Sequence, residues 1–180
     1  QMFSIILIGG TGFIFLFLYD LCQKYKQKTF ALIFSIIGYT AIFSSMLFLL
    51  FSFKPKFEPM FSFILKAVMA VIFFLLLLYS LFFEIPLKNT IVGRKIRIAR
   101  SEGTYGIVRH PGFLWFFFLN LSLILIYREI HFTIISASLV TMDFLLVLIE
   151  DHFIFPHIFS NYKDYKKEVP FLIPRMRRSS

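Results

Sequence analysis

Cysteine is almost missing from this chain: Cys22 stands alone among 180 residues, which excludes an internal disulfide and a thiolate metal cluster. Charge is scarce as well. Only 16% of the residues are charged, and the 10 acids are outnumbered by 19 Lys and Arg. No internal repeat or low-complexity linker divides the chain, so residues 1–180 read as a single domain. What is abundant is apolar surface, with 58% hydrophobic residues and 27 Phe and a mean hydropathy of +0.80. A soluble domain of this size has too little interior to hide that much of it, so lipid must be the solvent for most of the chain. A net charge of +9 would suit nucleic acid, but the basic residues are confined to short segments between apolar runs. That pattern belongs to membrane topology, and no nucleic-acid partner is expected.

Five apolar runs stand out, at about 3–19, 29–53, 61–83, 113–127 and 132–149. Crossing ~30 Å of hydrocarbon takes roughly 20 helical residues. The second and third runs are ample, the first and fifth adequate, and the fourth short. Hydrocarbon cannot satisfy backbone polar groups, so such runs must be helices. The expected fold is therefore all-α: a polytopic membrane protein with about five transmembrane helices. Only Arg128-Glu129-Ile130-His131 separates the last two runs, which makes them a tight helical hairpin. The chain start lacks a basic region, and Leu18-Tyr19-Asp20-Leu21-Cys22 is bulky or charged where signal processing requires small residues. The first run is accordingly expected to stay as an anchor.

Lys and Arg set the orientation. Three fall in 20–28, six in 84–112 and six after residue 150, against Lys54, Lys56 and Arg128 on the other side, with Lys66 inside the third run. Fifteen against three predicts an outside N-terminus and a cytoplasmic C-terminus, as in a bacterial inner (plasma) membrane protein. Residues 1–83 then hold three transmembrane helices, and 84–180 hold a loop, the hairpin and a polar C-terminal segment. The stretches 84–112 and 150–180 are each about thirty residues long and richer in polar groups than a connection needs. Both are expected on the cytoplasmic side, flanking the hairpin, and a site is expected between them.

Two motifs within these stretches carry chemistry. In Gly103-Thr104-Tyr105-Gly106-Ile107-Val108-Arg109-His110-Pro111, the Pro predicts a helix start, because its missing N–H is no loss in the first turn. Arg109 and His110 are then held at the membrane surface beside free backbone N–H groups, a place suited to an anion. The simpler reading is that Arg109 snorkels to headgroups and His110 caps the helix. Further on, Asp143, Val147 and Glu150 share one helix face. An acid two turns inside a membrane helix must face protein or water, and a structural hydrogen bond from Asn120 or Lys66 is the plainer alternative. The pair Glu150-Asp151, at a membrane surface, is by itself often just solvated.

Together, the pattern G-x-Y-x-x-V-R-H-P, an apolar hairpin, an acidic pair, Tyr162-x-x-Tyr165 and Val169-Pro-Phe-Leu-Ile-Pro174 resembles the isoprenylcysteine carboxyl methyltransferases. The resemblance covers roughly residues 100–174. It implies S-adenosylmethionine as cofactor, bound by Gly103, Tyr105, Val108, Arg109, His110, Pro111, Glu150 and Tyr162, with Arg109, Asp143 and Glu150 in catalytic positions. It also implies an opening to the bilayer for a lipidic or small hydrophobic acceptor, and no metal. The chain departs from the family pattern in two ways, the second of which bears on that acceptor. The second acid is Asp151 where the family has Glu, and the Arg that precedes the acidic pair is replaced by Phe144-Leu-Leu-Val-Leu-Ile149. With Asp143 in the wall and no Arg, a neutral or cationic acceptor such as a lipid amine or a thiol fits at least as well as a carboxylate.

Three other readings compete. A phospholipid N-methyltransferase keeps the cofactor; an NADPH-dependent membrane reductase would need polar groups in the first three runs, which offer almost none; a non-catalytic membrane protein would leave the motif unused. The charge asymmetry generates the first test. Engineered cysteines at 24–28, 90–100 and 165–180 should all be labelled from the cytoplasmic side, and labelling of 90–100 from outside in intact cells would refute the orientation.

Overall fold

The computed structural model describes residues 2–56, 59–84, 98–99 and 103–174. Among them the protein is all-helical, with α1 at Met2–Lys24, α2 at Lys28–Ser52, α3 at Met60–Leu78, α4 at Pro111–Tyr127 and α5 at Ile130–Ile149. Short helices α6 (Phe155–Ile158) and α7 (Tyr162–Glu168) complete the chain. Four helical segments are long and apolar enough to cross a membrane: Met2–Lys24, Lys28–Ser52, Met60–Glu84 and Ile130–Ile158. Helix α4 has 17 residues, about 25 Å at 1.5 Å per residue, which falls short of a ~30 Å hydrocarbon core. Much of the basic residue set on which the expected orientation rests (Lys88, Arg94, Lys95, Arg97, Arg100, Arg175, Arg177 and Arg178) lies outside the described residues.

With no hydrophobic force between helices in lipid, close packing of small residues holds membrane helices together, and α1 and α2 show this. Gly12 and Gly38 bring the two backbones into contact. A Cβ at Gly12 would lie 3.0 Å from the Gly38 carbonyl, and one at Gly38 would lie 3.1 Å from the Gly12 carbonyl. One turn before Gly12, Gly9 makes room for Ser45, whose hydroxyl donates to the Ile5 carbonyl at 3.0 Å. On the other flank, rings take over: Phe73 of α3 stacks on Phe118 and Trp115 of α4, with centroids 5.2 and 6.3 Å apart.

The α4–α5 hairpin is tighter than the sequence suggests. Its turn is only Arg128 and Glu129, with Arg128 left-handed at φ 49° and the Glu129 carboxylate accepting from the Phe132 backbone N–H at 2.9 Å as N-cap of α5. Tyr127 stacks on Phe132 at 4.3 Å and donates to the Leu50 carbonyl at 3.1 Å, fastening the hairpin to the end of α2. At the opposite end, Pro111 opens α4 as expected. Helices α1 and α5 run parallel, with Gly9 level with Leu139, Gly10 with Met142, and Asp20 with Glu150.

Two of the long helices end in a π-helical turn, Tyr79–Glu84 after α3 and Glu150–Ile154 after α5. A π-turn inserts an extra residue and so rotates the downstream side chains around the helix axis. Both turns lie at the end where the loop and the polar tail gather.

The Gly12–Gly38 contact yields a stability test. Gly12→Leu must push the helices apart or shift a backbone, and should cost about 1–3 kcal/mol, read as lowered resistance to denaturation in mixed micelles. Thr11→Leu, at an exposed position one residue away, should leave that resistance unchanged.

Candidate functional site

Two cations, a phenol and an imidazole at this end converge on one carboxylate. Asp151, in the π-turn after α5, is 1% exposed. Arg109 Nη1 lies 2.9 Å from its Oδ1 and 3.2 Å from its Oδ2. Lys166 Nζ reaches Oδ2 at 2.7 Å, and Tyr162 donates its hydroxyl to Oδ1 at 2.7 Å. His110 Nε2 stands 3.4 Å away. Three chain segments meet here: the loop before α4, the end of α5, and the tail. A carboxylate so deeply desolvated is tolerable only because two cations and a hydroxyl surround it.

The tail is strapped down by further bonds. Tyr165 donates to the Tyr105 carbonyl at 2.7 Å, and the Arg109 backbone N–H donates to the Pro170 carbonyl at 2.9 Å. Asn161 both accepts from the Ala99 N–H at 2.7 Å and donates to its carbonyl at 3.0 Å. Tyr162, Tyr165 and Val169 form a small core with Ala99, Phe155 and Phe159. Burial, together with the bond to Asp151, pushes the Tyr162 hydroxyl well above the ordinary tyrosine range, so it remains a donor at neutral pH.

Each residue singled out from the sequence has a place. Gly103 adopts φ +59°, and a Cβ there would collide with Glu84, whose carboxylate accepts from the Thr104 N–H and hydroxyl. Tyr105 points its hydroxyl at the Ser80 carbonyl, 3.3 Å away, and Val108 is buried. Arg109 does not snorkel; it turns inward to Asp151, its guanidinium 5.4 Å from the Phe171 ring centroid. His110 sits at the N-cap of α4 but makes no side-chain cap bond. Its ring stacks on Phe155 at 5.6 Å, and its Nδ1 lies 3.6 Å from Glu150 Oε2. Burial outweighs the neighbouring Asp151 and holds the His110 pKa below the usual histidine value, so the ring is neutral at pH 7 and donates through one nitrogen only. Pro111 and Tyr162 are buried beside it.

Asp143 stands apart from this cluster. It lies two turns deeper on α5, half-buried, with Glu150 as the charge it senses. Asn120 donates instead to its own helix at Phe116, 2.9 Å away.

Taken alone, the pair Glu150-Asp151 read as solvated carboxylates, whereas Asp151 is buried and is the hub. Consecutive helical residues point roughly 100° apart, so Glu150 meets α1 and His110 while Asp151 meets Arg109, His110 and the tail. Lys166 carried no signal among Lys163, Lys166 and Lys167. Asp20, just past the end of the first apolar run, was not singled out either; it is 5% exposed and lies beside Glu150. Two polar atoms of the region are buried without a partner, Arg109 Nε and Asp20 Oδ2. Among the described residues no group of His, Cys, Asp and Glu is arranged to hold a metal ion.

Removing the hub leaves Arg109 and Lys166 without a counter-charge. Asp151→Ala should cost about 3–5 kcal/mol and release the tail, so limited proteolysis should cut between 159 and 171 far faster than in the wild type. Equal cleavage rates would refute the hub. Compared with known protein families, with curated proteins and with solved structures, the chain matches none.

Proposed function

We propose that this protein is an integral membrane methyltransferase that moves a methyl group from S-adenosylmethionine to a lipidic or small hydrophobic acceptor. In this reading α4 counts as a fifth, short membrane helix, and the site faces the cytoplasm of a bacterial inner membrane. The observation that carries it is the meeting of Arg109-His110, Glu150-Asp151 and the Tyr162–Tyr165 tail at one end of the helix bundle. These are the elements on which the family resemblance rests, and they are distant in sequence.

The two unpartnered atoms test the fit of the cofactor. Arg109 Nε has a hydrogen to give, and the acidic side of the cluster has acceptors to spare. An amino-acid end that carries both a carboxylate and an ammonium matches that pair, with Arg109 taking the first and Glu150 the second. When bound, S-adenosylmethionine supplies a methyl group already activated on a sulfonium. The chain's own contribution is then to position and to exclude water. His110, neutral and clamped between Phe155 and Phe171, orients by a hydrogen bond and not by charge. Val108 and Pro111 supply dry wall. Tyr162 and Lys166 act through Asp151, as positioning residues for Arg109.

The test is binding by the purified protein, S-adenosylmethionine against NADPH. S-adenosylmethionine should bind saturably and NADPH should not. His110→Ala and Glu150→Ala should each weaken binding about ten- to a hundredfold, the loss of one charge-assisted hydrogen bond of roughly 1.5–3 kcal/mol. Unchanged affinity in both variants, or preference for NADPH, would overturn the assignment.

A further inference from the structure

The tail is held in two different ways. Helix α7 is anchored: Tyr162 and Lys166 each reach the buried Asp151 at 2.7 Å, and Tyr165 donates to the Tyr105 carbonyl at 2.7 Å. The hold extends as far as Val169, which is 3% exposed, and Pro170, whose carbonyl accepts from the Arg109 backbone N–H at 2.9 Å. Beyond that point it changes. Among the described residues, no hydrogen bond or ion pair engages Phe171, Leu172, Ile173 or Pro174, and Ile173 is 82% exposed.

One side chain of this stretch turns back onto the site. The half-buried ring of Phe171 lies edge-on to His110, with centroids 5.3 Å apart, and its centroid is 5.4 Å from the Arg109 guanidinium carbon. Arg109 is at the same time incompletely satisfied. Asp151 takes its Nη1, the side chain is only 10% exposed, and its Nε is buried without an acceptor. A ring offers a cation its π-face but no lone pair for an N–H, so Phe171 packs on the guanidinium without meeting its hydrogen-bonding demand. A ligand carboxylate would meet it, and the ring stands against the group that such a ligand must reach.

We propose that Phe171 is a gate over Arg109 and His110: a ligand that carries a carboxylate reaches them when residues 171–174 swing away about Pro170, while α7 stays docked on Asp151. The two attachments differ in strength, and that sets which one yields. Separating a buried, doubly ion-paired carboxylate from its partners is costly. An edge-to-face ring pair and one cation–π contact are individually weak, so the cover lifts before the anchor gives way. Segments that open for ligands are drawn from such weakly held parts of a fold. Only the identification of the ligand as the amino-acid end of S-adenosylmethionine rests on the methyl-transfer reading; the gate itself concerns access to Arg109.

The first probe is phenylglyoxal, which modifies accessible guanidinium groups, applied to the purified full chain in a non-ionic detergent without S-adenosylmethionine. Peptide mass spectrometry reads the adduct at each Arg. Reactivity scales with the open fraction, so Arg109 should react slowly in the wild type and about fivefold or more faster in Phe171→Ala. The exposed Arg128 should react equally in both. Phe171→Tyr, which keeps the ring, and Ile173→Ala, in the same segment, should leave the Arg109 rate unchanged. The second readout is the association rate of S-adenosylmethionine, which should rise about fivefold or more in Phe171→Ala, again through the open fraction. Unchanged Arg109 reactivity in that variant would overturn the gate; so would association no faster than in the wild type, which would make the ring a wall of the binding site. If Phe171→Ala fails to fold, the milder Phe171→Leu decides, with Arg109 reactivity expected to rise about twofold or more on the same ground. A protein that takes up no S-adenosylmethionine loses the methyltransferase assignment, and the gate then stands or falls on Arg109 alone.

Discussion

A single buried carboxylate organises the polar end of this protein. Asp151 can be 1% exposed only while Arg109, Lys166 and Tyr162 surround it, and those three come from the loop before α4 and from the tail. Desolvation makes the arrangement all-or-none: each partner present lowers the cost of burying the charge, and each one missing leaves an ion in apolar surroundings. The tail is therefore held by an electrostatic obligation, and the aromatic packing of Phe155, Phe159, Tyr162 and Tyr165 adds to a geometry that the carboxylate has already imposed.

The membrane bundle supports this arrangement from below. Close glycine contact sets the separation of α1 and α2, and the parallel register of α1 with α5 puts Asp20 beside Glu150. The hairpin is tied at its far end through Tyr127 and Phe132. Because both helices of the hairpin are fixed there, α4 and α5 deliver His110 and Glu150 to the opposite end in fixed relation. Two adjacent acids then serve different purposes. Asp151 is saturated by cations from the chain, whereas Glu150 keeps company with Asp20 and a neutral imidazole. The first anchors the tail, and the second belongs to the contact between α1 and α5.

Much of this was legible in the residues themselves. Runs of apolar residues with few charges admit only helices in lipid, so the all-helical character and the crossing length of four segments came from composition and spacing. Pro111 marked the start of α4, and the polar stretches flanking the hairpin marked the end at which a site would lie. The grouping of Arg109, His110 and Glu150 was also readable, since the hairpin must return the chain to the side from which it left.

What only the tertiary structure decided was which polar group meets which. A π-turn has no sequence signature of its own, and the one at Glu150–Ile154 sets how the residues after it are turned around the helix axis. The choice of Lys166 over Lys163 and Lys167 depends on the pitch of α7 against Asp151. The pairing of Asp20 with Glu150 depends on helix register across 130 residues of sequence. Apolar periodicity is a local property, summed over neighbours along the chain, and the sequence by itself determined what depends on it. The partner of a buried charge depends on a few ångströms of offset between distant helices, and only the folded packing decides it.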